Sequence, residues 1–119
     1  ARSEMCIRDR MMSSQHIFFA LLFVATIAFI APIMEELIFR GFGTAFFFKN
    51  NQKVLPAIVT SVVFTLPHIA QLTEFPIYFA LGLVLYLSYA RRGNIKDSML
   101  VHILNNLPMA IILLLAMFQ

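Results

Sequence analysis

Residues 31–42 read APIMEELIFRGF and place two glutamates and an arginine inside a strongly apolar chain. Of its 119 residues, 61% are hydrophobic and 13% are charged, whereas soluble proteins carry about 25% charged residues. A charge at the centre of a bilayer costs about 2.5–3.5 kcal/mol on insertion scales, so such residues usually face a protein interior. Composition therefore predicts a membrane protein, and Glu35, Glu36 and Arg40 predict a site within it.

Four apolar segments follow one another, and each approaches the roughly 20 residues that a helix needs to cross a bilayer. They are Ile17–Met34, Val54–Leu72, Phe75–Ala90 and Met99–Phe118. The third is short, so we expect it to tilt or to thin the bilayer locally. Because the connections are brief, the sequence predicts one all-α domain over residues 11–119, a multi-pass transmembrane bundle of about four membrane-embedded helices.

The first ten residues, ARSEMCIRDR, differ abruptly in composition from the rest of the chain. We interpret residues 1–10 as a non-native scar outside the fold, and we expect a complete protein to carry further helices upstream. This interpretation removes Cys6, the single cysteine, from any disulfide or metal site. The remaining basic residues are too few to indicate binding of nucleic acid.

Basic residues concentrate in two of the three connections between the apolar segments. These are residues 41–53 and 91–98. The first has Lys49 and Lys53, with Arg40 just before it, and the second has Arg91, Arg92 and Lys96. Alternating crossings put both connections on one side, which the positive-inside rule predicts to be cytoplasmic. Gly93 fits a left-handed helix stop, and Asp97 or Ser98 fits the N-cap of the last helix.

Helical geometry separates the two glutamates of EELIFR. Glu36 and Arg40 are four residues apart and share a face, while Glu35 is turned roughly 140° away from Arg40. We therefore expect Glu36 to pair with Arg40 and Glu35 to be free to act as a general base. The alternative is a charged helix end at the membrane interface, with Gly41 and Gly43 closing the helix.

A histidine in the second segment has features of a functional group. In FTLPH, residues 64–68, Phe64 and His68 share a helix face, and Pro67 is expected to bend the helix just before the histidine. Such a bend makes room for water beside the imidazole. The alternative is a histidine that only bonds a neighbouring helix.

The last segment carries HILNN, residues 102–106. His102 and Asn106 lie on one face, and both side chains can donate to a developing oxyanion. Asn105 lies about 100° to one side and is expected to face another helix. Alone, this motif could also be ordinary interhelical hydrogen bonding.

Together, EELIFR, FTLPH and HILNN, in this order on successive apolar segments, resemble the three motifs of the CAAX-protease and bacteriocin-processing family of intramembrane proteases, also called the Abi family. The patterns are Glu-Glu-x-x-x-Arg, Phe-x-x-x-His and His-x-x-x-Asn. The resemblance runs from about Pro32 to about Leu115. It implies a cell-membrane protein, and a bacterial source.

The resemblance also implies roles for the motif residues. Glu35, assisted by His68, would activate a water for attack on a peptide carbonyl, and His102 with Asn106 would stabilise the tetrahedral oxyanion. The ion pair of the first motif would hold the first helix in place. The substrate would be a membrane-associated or prenylated peptide, or a bacteriocin-like precursor.

Two alternatives stay open at this point. The resemblance is to glutamate-type proteases without a cofactor, but two histidines and two carboxylates can also bind zinc. A non-catalytic membrane protein, such as a bacteriocin immunity factor or a transporter partner, could keep the polar cluster for structure or proton handling. Depth raises a further question, because His102 lies only a few residues inside its segment. We therefore expect residues 91–98 to dip into the membrane, or the helices to tilt strongly.

Overall fold

The computed structural model describes residues 3–6, 14–49 and 51–119, and these residues form helices and turns without a strand. A continuous helical unit, the long first helix, comprises α1 (Ser14–Ala25), a π-helix (Thr26–Ile30), α2 (Ala31–Glu36), a second π-helix (Leu37–Gly43) and α3 (Thr44–Phe47). The helices that follow are α4 (Val54–Thr65), α5 (Phe75–Ala90) and α6 (Ile95–Ala116). The all-α prediction is confirmed.

Three helical stretches among the described residues are long and apolar enough to cross a membrane: His16–Phe47, Leu72–Ala90 and Ile95–Ala116. Val54–His68 is apolar but shorter. The second apolar segment, rather than the third, is therefore the short one. The reason is Pro67, which has no N–H to donate; the chain passes into a 3₁₀ turn over Leu66–His68, and Ile69 is extended.

The long first helix continues through both glycines that could have closed it. It ends only at Phe48, where the backbone becomes extended with φ −131° and ψ 148°. The Thr44 hydroxyl donates to the Phe39 carbonyl at 3.2 Å and so satisfies a backbone group of the second π-helix. The alternative in which Gly41 and Gly43 end the helix at the interface is wrong, and the first connection is confined to residues 48–53.

The turn between α5 and α6 differs from its prediction at the N-cap. Gly93 has φ 64°, as expected for a left-handed stop. However, α6 begins at Ile95, and its N-cap is Asn94, whose side-chain oxygen accepts from the Lys96 N–H at 3.0 Å. This early start puts His102 seven residues, about 10 Å, inside the helix. The expectation that residues 91–98 dip into the membrane, or that the helices tilt strongly, stays a prediction.

The helices close around a small polar centre. α6 runs along the long first helix, α5 packs between α6 and α4, and α4 returns to the second π-helix. The charged side chains of Glu36 and Arg40 and the hydroxyl side chains of Ser61 and Thr65 are fully buried, whereas large apolar side chains such as Phe47 are up to about four-fifths exposed. This is the reverse of a soluble protein, and it suits a chain whose surroundings are lipid.

α4 and α5 approach closely where small residues meet. A Cβ placed on Gly82 would lie 3.0 Å from Ser61 Cα and 3.2 Å from its hydroxyl oxygen. Close backbone approach at small residues is a common form of helix packing in membranes. The contact leaves the backbone of α5 accessible to side chains from the polar centre.

The N-terminal interval is only partly described. Residues 3–6 form one helical turn with all four side chains exposed. The rest of the predicted scar, residues 1–2 and 7–10, lies outside the described residues. Its exclusion from the fold stays a prediction.

Candidate active site

A buried ion pair ties the long first helix to α5. Arg40 Nη1 donates to Glu36 Oε1 at 3.1 Å, and both side chains are 0% exposed. The other terminal nitrogen, Nη2, donates to the Gly82 carbonyl at 2.7 Å. Helical spacing predicted the ion pair, but Gly82 was missed. A glycine inside an apolar helix was the available signal, because small residues mark close contacts between helices.

Glu36 also orients His102 from the opposite side of the bundle. His102 Nδ1 lies 2.9 Å from Glu36 Oε1, although the residues are 66 positions apart. The Glu36 oxygen that receives the Arg40 N–H is an acceptor, so the His102 ring carries a proton on Nδ1 in this contact. One carboxylate oxygen thus joins an arginine and a histidine from different helices.

His68 stands at the end of the 3₁₀ turn that Pro67 produces. Its Nδ1 donates to the Phe64 carbonyl at 2.6 Å, because a carbonyl can only accept. Its ring stacks on Phe64 with the centroids 4.4 Å apart, and Phe64 also meets the His102 ring edge-on at 5.6 Å. The Phe64 ring therefore positions both imidazoles, and His68 Nε2 is left to face the site.

Glu35 completes the arrangement. Its Oε2 lies 3.6 Å from His68 Nε2 and 3.4 Å from His102 Nε2. This oxygen is buried without a hydrogen-bond partner, while the side chain as a whole is 28% exposed. When both rings are neutral with protons on Nδ1, three acceptors converge. Such a set favours a shared proton or a bridging O–H donor.

Asn106 supplies a hydrogen bond that the backbone of the first π-helix lacks. Its Nδ2 donates to the Ile27 carbonyl at 3.2 Å. In π-helical register that carbonyl would accept from residue 32, which is a proline and has no N–H. The amide nitrogen of Asn106 keeps a second N–H for another acceptor.

Asn105 does not face a neighbouring helix as expected. It is exposed, and its Nδ2 lies 3.4 Å from Asn106 Oδ1. The prediction for this residue is wrong, because its side chain lies at the exposed edge of the site and its amide contacts Asn106 of the same helix.

A cavity of about 330 Å³ brings several of these groups together. Its lining residues are Ile27, Phe64, His68, Tyr78, Leu81, His102, Asn105, Asn106 and Met109. Three of the four predicted catalytic residues therefore line one cavity, and Glu35 contacts two of them. Tyr78, whose ring centroid lies 5.7 Å from that of His68, was missed because no local pattern marks it.

A second groove is separated from the site by the packed rings of Phe39 and Phe64. It measures about 490 Å³ and is lined by Ile38, Phe39, Phe42, Gly43, Phe47, Phe48, Val59, Thr60 and Val63. Phe39 packs edge-on against Phe64 with the centroids 5.9 Å apart. The wall of this almost wholly apolar groove thus contacts the ring that positions both histidines.

Among the described residues, no group of three or more His, Cys, Asp or Glu side chains is arranged to hold a metal ion. Zinc binding by the two histidines and two carboxylates stays an untested alternative.

Comparison with known proteins follows the motifs. A family model described as "Type II CAAX prenyl endopeptidase Rce1-like" matches residues 17–108, which include all three motifs. UPF0177 protein YaiH of Lactococcus lactis subsp. lactis (strain IL1403) is 36% identical over 103 residues, covering 85% of this chain and 42% of the relative. UPF0177 protein YbdI of the same strain is 34% identical over 73 residues, covering 61% of this chain and 39% of the relative. No solved structure matches the chain.

The chain thus spans less than half of the length of either relative. The family match nevertheless covers most of the chain and contains every residue of the predicted site. The resemblance drawn from the motifs is confirmed, and the chain belongs to the type II CAAX prenyl endopeptidase Rce1-like family.

Proposed function

We propose that this chain is the core of an intramembrane endopeptidase that hydrolyses a peptide bond in a membrane-associated or prenylated peptide. The observation that carries the proposal is the Glu35 carboxylate, which faces the Nε2 atoms of His68 and His102 beside a cavity in a helical bundle. The description of the matched family, a prenyl endopeptidase, supports the same activity.

Glu35 and His68 are suited to activating a water. The 3.6 Å between Glu35 Oε2 and His68 Nε2 is too long for a direct hydrogen bond, and a water can donate one O–H to each acceptor. Its oxygen then attacks the peptide carbonyl carbon, forming the C–O bond while one proton moves to Glu35 as general base. Breakage of the C–N bond follows, and Glu35 returns this proton to the leaving amine.

His102 and Asn106 are placed to stabilise the oxyanion of the tetrahedral intermediate. Asn106 contributes the N–H that it does not give to Ile27. His102 can donate from Nε2 when both ring nitrogens are protonated, and carboxylates then face both nitrogens, at 2.9 Å and 3.4 Å. In that form the charges of Glu35, Glu36, Arg40 and His102 cancel. A fixed, neutral cluster of this kind suits stabilisation of a new negative charge in a dry site.

The apolar groove behind Phe39 supports a hydrophobic substrate. It lies against the aromatic wall of the site and has no charged side chain in its lining. A prenyl or other apolar group held there would remain in the membrane while the adjacent peptide reaches Glu35.

The test is cleavage of a fluorogenic prenylated peptide by the purified chain in detergent or nanodiscs. Glu35→Gln keeps the size and polarity of the side chain but removes the base, so turnover per folded molecule should fall by about 10²- to 10⁴-fold. Glu74→Gln is the matched control, because Glu74 bonds the Ala70 N–H outside the cavity. It should cleave at the wild-type rate.

Other outcomes separate the alternatives. Wild-type turnover by Glu35→Gln would contradict the assigned base. Absence of cleavage by the folded wild-type chain, with and without the prenyl group, would favour the non-catalytic membrane protein. We expect chelators to leave activity unchanged, and a loss that zinc restores would favour the zinc alternative.

A further inference from the structure

A groove between α5 and α6 lies away from the candidate active site. It measures about 430 Å³ and is lined by Val84, Leu87, Ser88, Arg91, Asp97, Leu100 and Val101. Both helices belong to stretches that can cross a membrane, so the turn that joins them lies near a membrane surface. The groove is therefore apolar along the two helices and charged at its mouth.

The charges at this mouth are unequally paired. Arg92 occupies both carboxylate oxygens of Asp97, with Nε at 2.9 Å and Nη2 at 2.6 Å. These hydrogen bonds raise the pKa of Arg92. Arg91 Nη2 lies 3.9 Å from Asp97, beyond hydrogen-bonding distance, and the Arg91 side chain is 72% exposed. Two arginines thus share one carboxylate, and the Arg91 guanidinium is available to a ligand.

We propose that this groove binds an anionic phospholipid, with the phosphate on Arg91 and one acyl chain between α5 and α6. Arginine is suited to bidentate contacts with phosphate oxygens, and basic pockets between transmembrane helices bind anionic headgroups. The groove volume of about 430 Å³ lies within the roughly 300–1,000 Å³ of small-molecule sites. The headgroup of a zwitterionic lipid would add its own positive charge to a mouth that is already cationic. The site therefore selects an anionic lipid.

The apolar groove beside Phe39 provides a contrast within the same molecule. Its lining contains no charged side chain. It can accommodate a hydrocarbon chain, but its walls offer nothing that distinguishes one headgroup from another. The lining of the groove between α5 and α6 includes Arg91, so a stronger preference for anionic lipid is expected there.

Tryptophan fluorescence can test the proposal, because the sequence contains no tryptophan. Leu100→Trp places the only indole in the lining of the groove. Ile58→Trp is the matched control, since Ile58 is also an exposed residue about one turn inside its helix. Each protein is reconstituted in zwitterionic vesicles that contain brominated anionic or brominated zwitterionic phospholipid, and quenching gives the relative affinity for the two lipids.

We expect the Leu100→Trp protein to prefer the anionic lipid about fivefold, because this is the increase in affinity that one arginine near an anionic headgroup provides. The Ile58→Trp protein should show little preference. Adding Arg91→Gln to Leu100→Trp should remove the preference, and adding Arg91→Lys should retain it. Equal quenching by both lipids in Leu100→Trp would overturn the proposal. So would an equal preference in Ile58→Trp, or a preference that survives Arg91→Gln.

Discussion

Glu36 is the residue on which the polar centre depends. Its Oε1 accepts from Arg40 Nη1 and from His102 Nδ1, so one atom connects an ion pair within a helix to a contact between helices. Helical spacing predicts the first contact, because residues four apart share a face. The second arises only when α6 packs against the long first helix.

The consequence is a prediction for Glu36→Gln. This change leaves the Arg40 charge fully buried without its partner, and breaking a buried pair costs about 3–5 kcal/mol. Turnover per folded molecule should fall as well, because His102 loses the carboxylate that orients it. The midpoint of denaturant unfolding in detergent measures the stability change.

The matched control for that measurement is Arg92→Gln, which breaks an ion pair at the surface. Exposed ion pairs contribute about 1 kcal/mol or less, so this variant should unfold close to the wild type. If Glu36→Gln is as stable as the wild type, the buried pair is not what holds the first helix.

At the scale of elements, the first π-helix has a specific structural requirement. Pro32 cannot donate to the Ile27 carbonyl, and Asn106 supplies the missing hydrogen bond from α6. A residue assigned to oxyanion stabilisation therefore also holds two helices together. The two roles can be separated by experiment.

Asn106→Leu should cost about 1–3 kcal/mol of stability, because it leaves the Ile27 carbonyl unpaired in an apolar setting. Adding Pro32→Ala restores a backbone N–H, so the double variant should recover much of that stability. Cleavage should stay low in both variants, since neither carries the Asn106 amide. Recovery of activity together with stability would show that Asn106 acts only as a structural residue.

The contact between α4 and α5 gives a second prediction at this scale. Gly82→Ala would place a Cβ 3.0 Å from Ser61 Cα, so the two helices must separate and the Arg40 hydrogen bond to the Gly82 carbonyl must lengthen. Overpacking of this kind costs about 1–3 kcal/mol. Thermal unfolding in detergent should show the loss.

Gly41→Ala is the control for this substitution. Its Cβ would meet only the end of the Ile95 side chain, at 3.3 Å. A flexible side chain can move aside, and alanine is favoured over glycine within helices. Gly41→Ala should therefore be neutral or slightly stabilising, and equal losses in both variants would contradict the close-contact explanation.

At the scale of the whole molecule, the short Val54–His68 helix raises the question of whether it crosses the membrane completely. Its 15 residues span about 22 Å, less than the roughly 30 Å of a bilayer core. The positive-inside rule nevertheless predicts residues 48–53 and 91–98 on one side and the turn before α5 on the other.

Single cysteines can test this arrangement after Cys6→Ser removes the one thiol of the sequence. Asn51→Cys and Lys96→Cys, both at exposed positions, should react with a membrane-impermeant reagent from one side of sealed vesicles. Thr73→Cys, also exposed, should react from the other. Reaction of all three from one side would show that Val54–Ala90 enters and leaves the membrane on the same face.

The sequence by itself determined the fold class, the family and the pairing within one helix. The high share of hydrophobic residues requires a lipid-facing surface, and the four-residue spacing of Glu36 and Arg40 puts both side chains on the same face of a helix. These properties depend on neighbours along the chain, so local pattern is enough to predict them. The left-handed Gly93 belongs to the same category.

Only the tertiary structure decided which groups meet across helices and where the helices end. The contacts of Glu36 with His102, of Arg40 with the Gly82 carbonyl and of Asn106 with Ile27 join residues far apart in sequence. The helix boundaries at Phe48 and Ile95 also escaped prediction. The physical reason is that apolar periodicity is weak when lipid surrounds every helix, so helix ends and partners depend on which buried polar groups find each other in three dimensions.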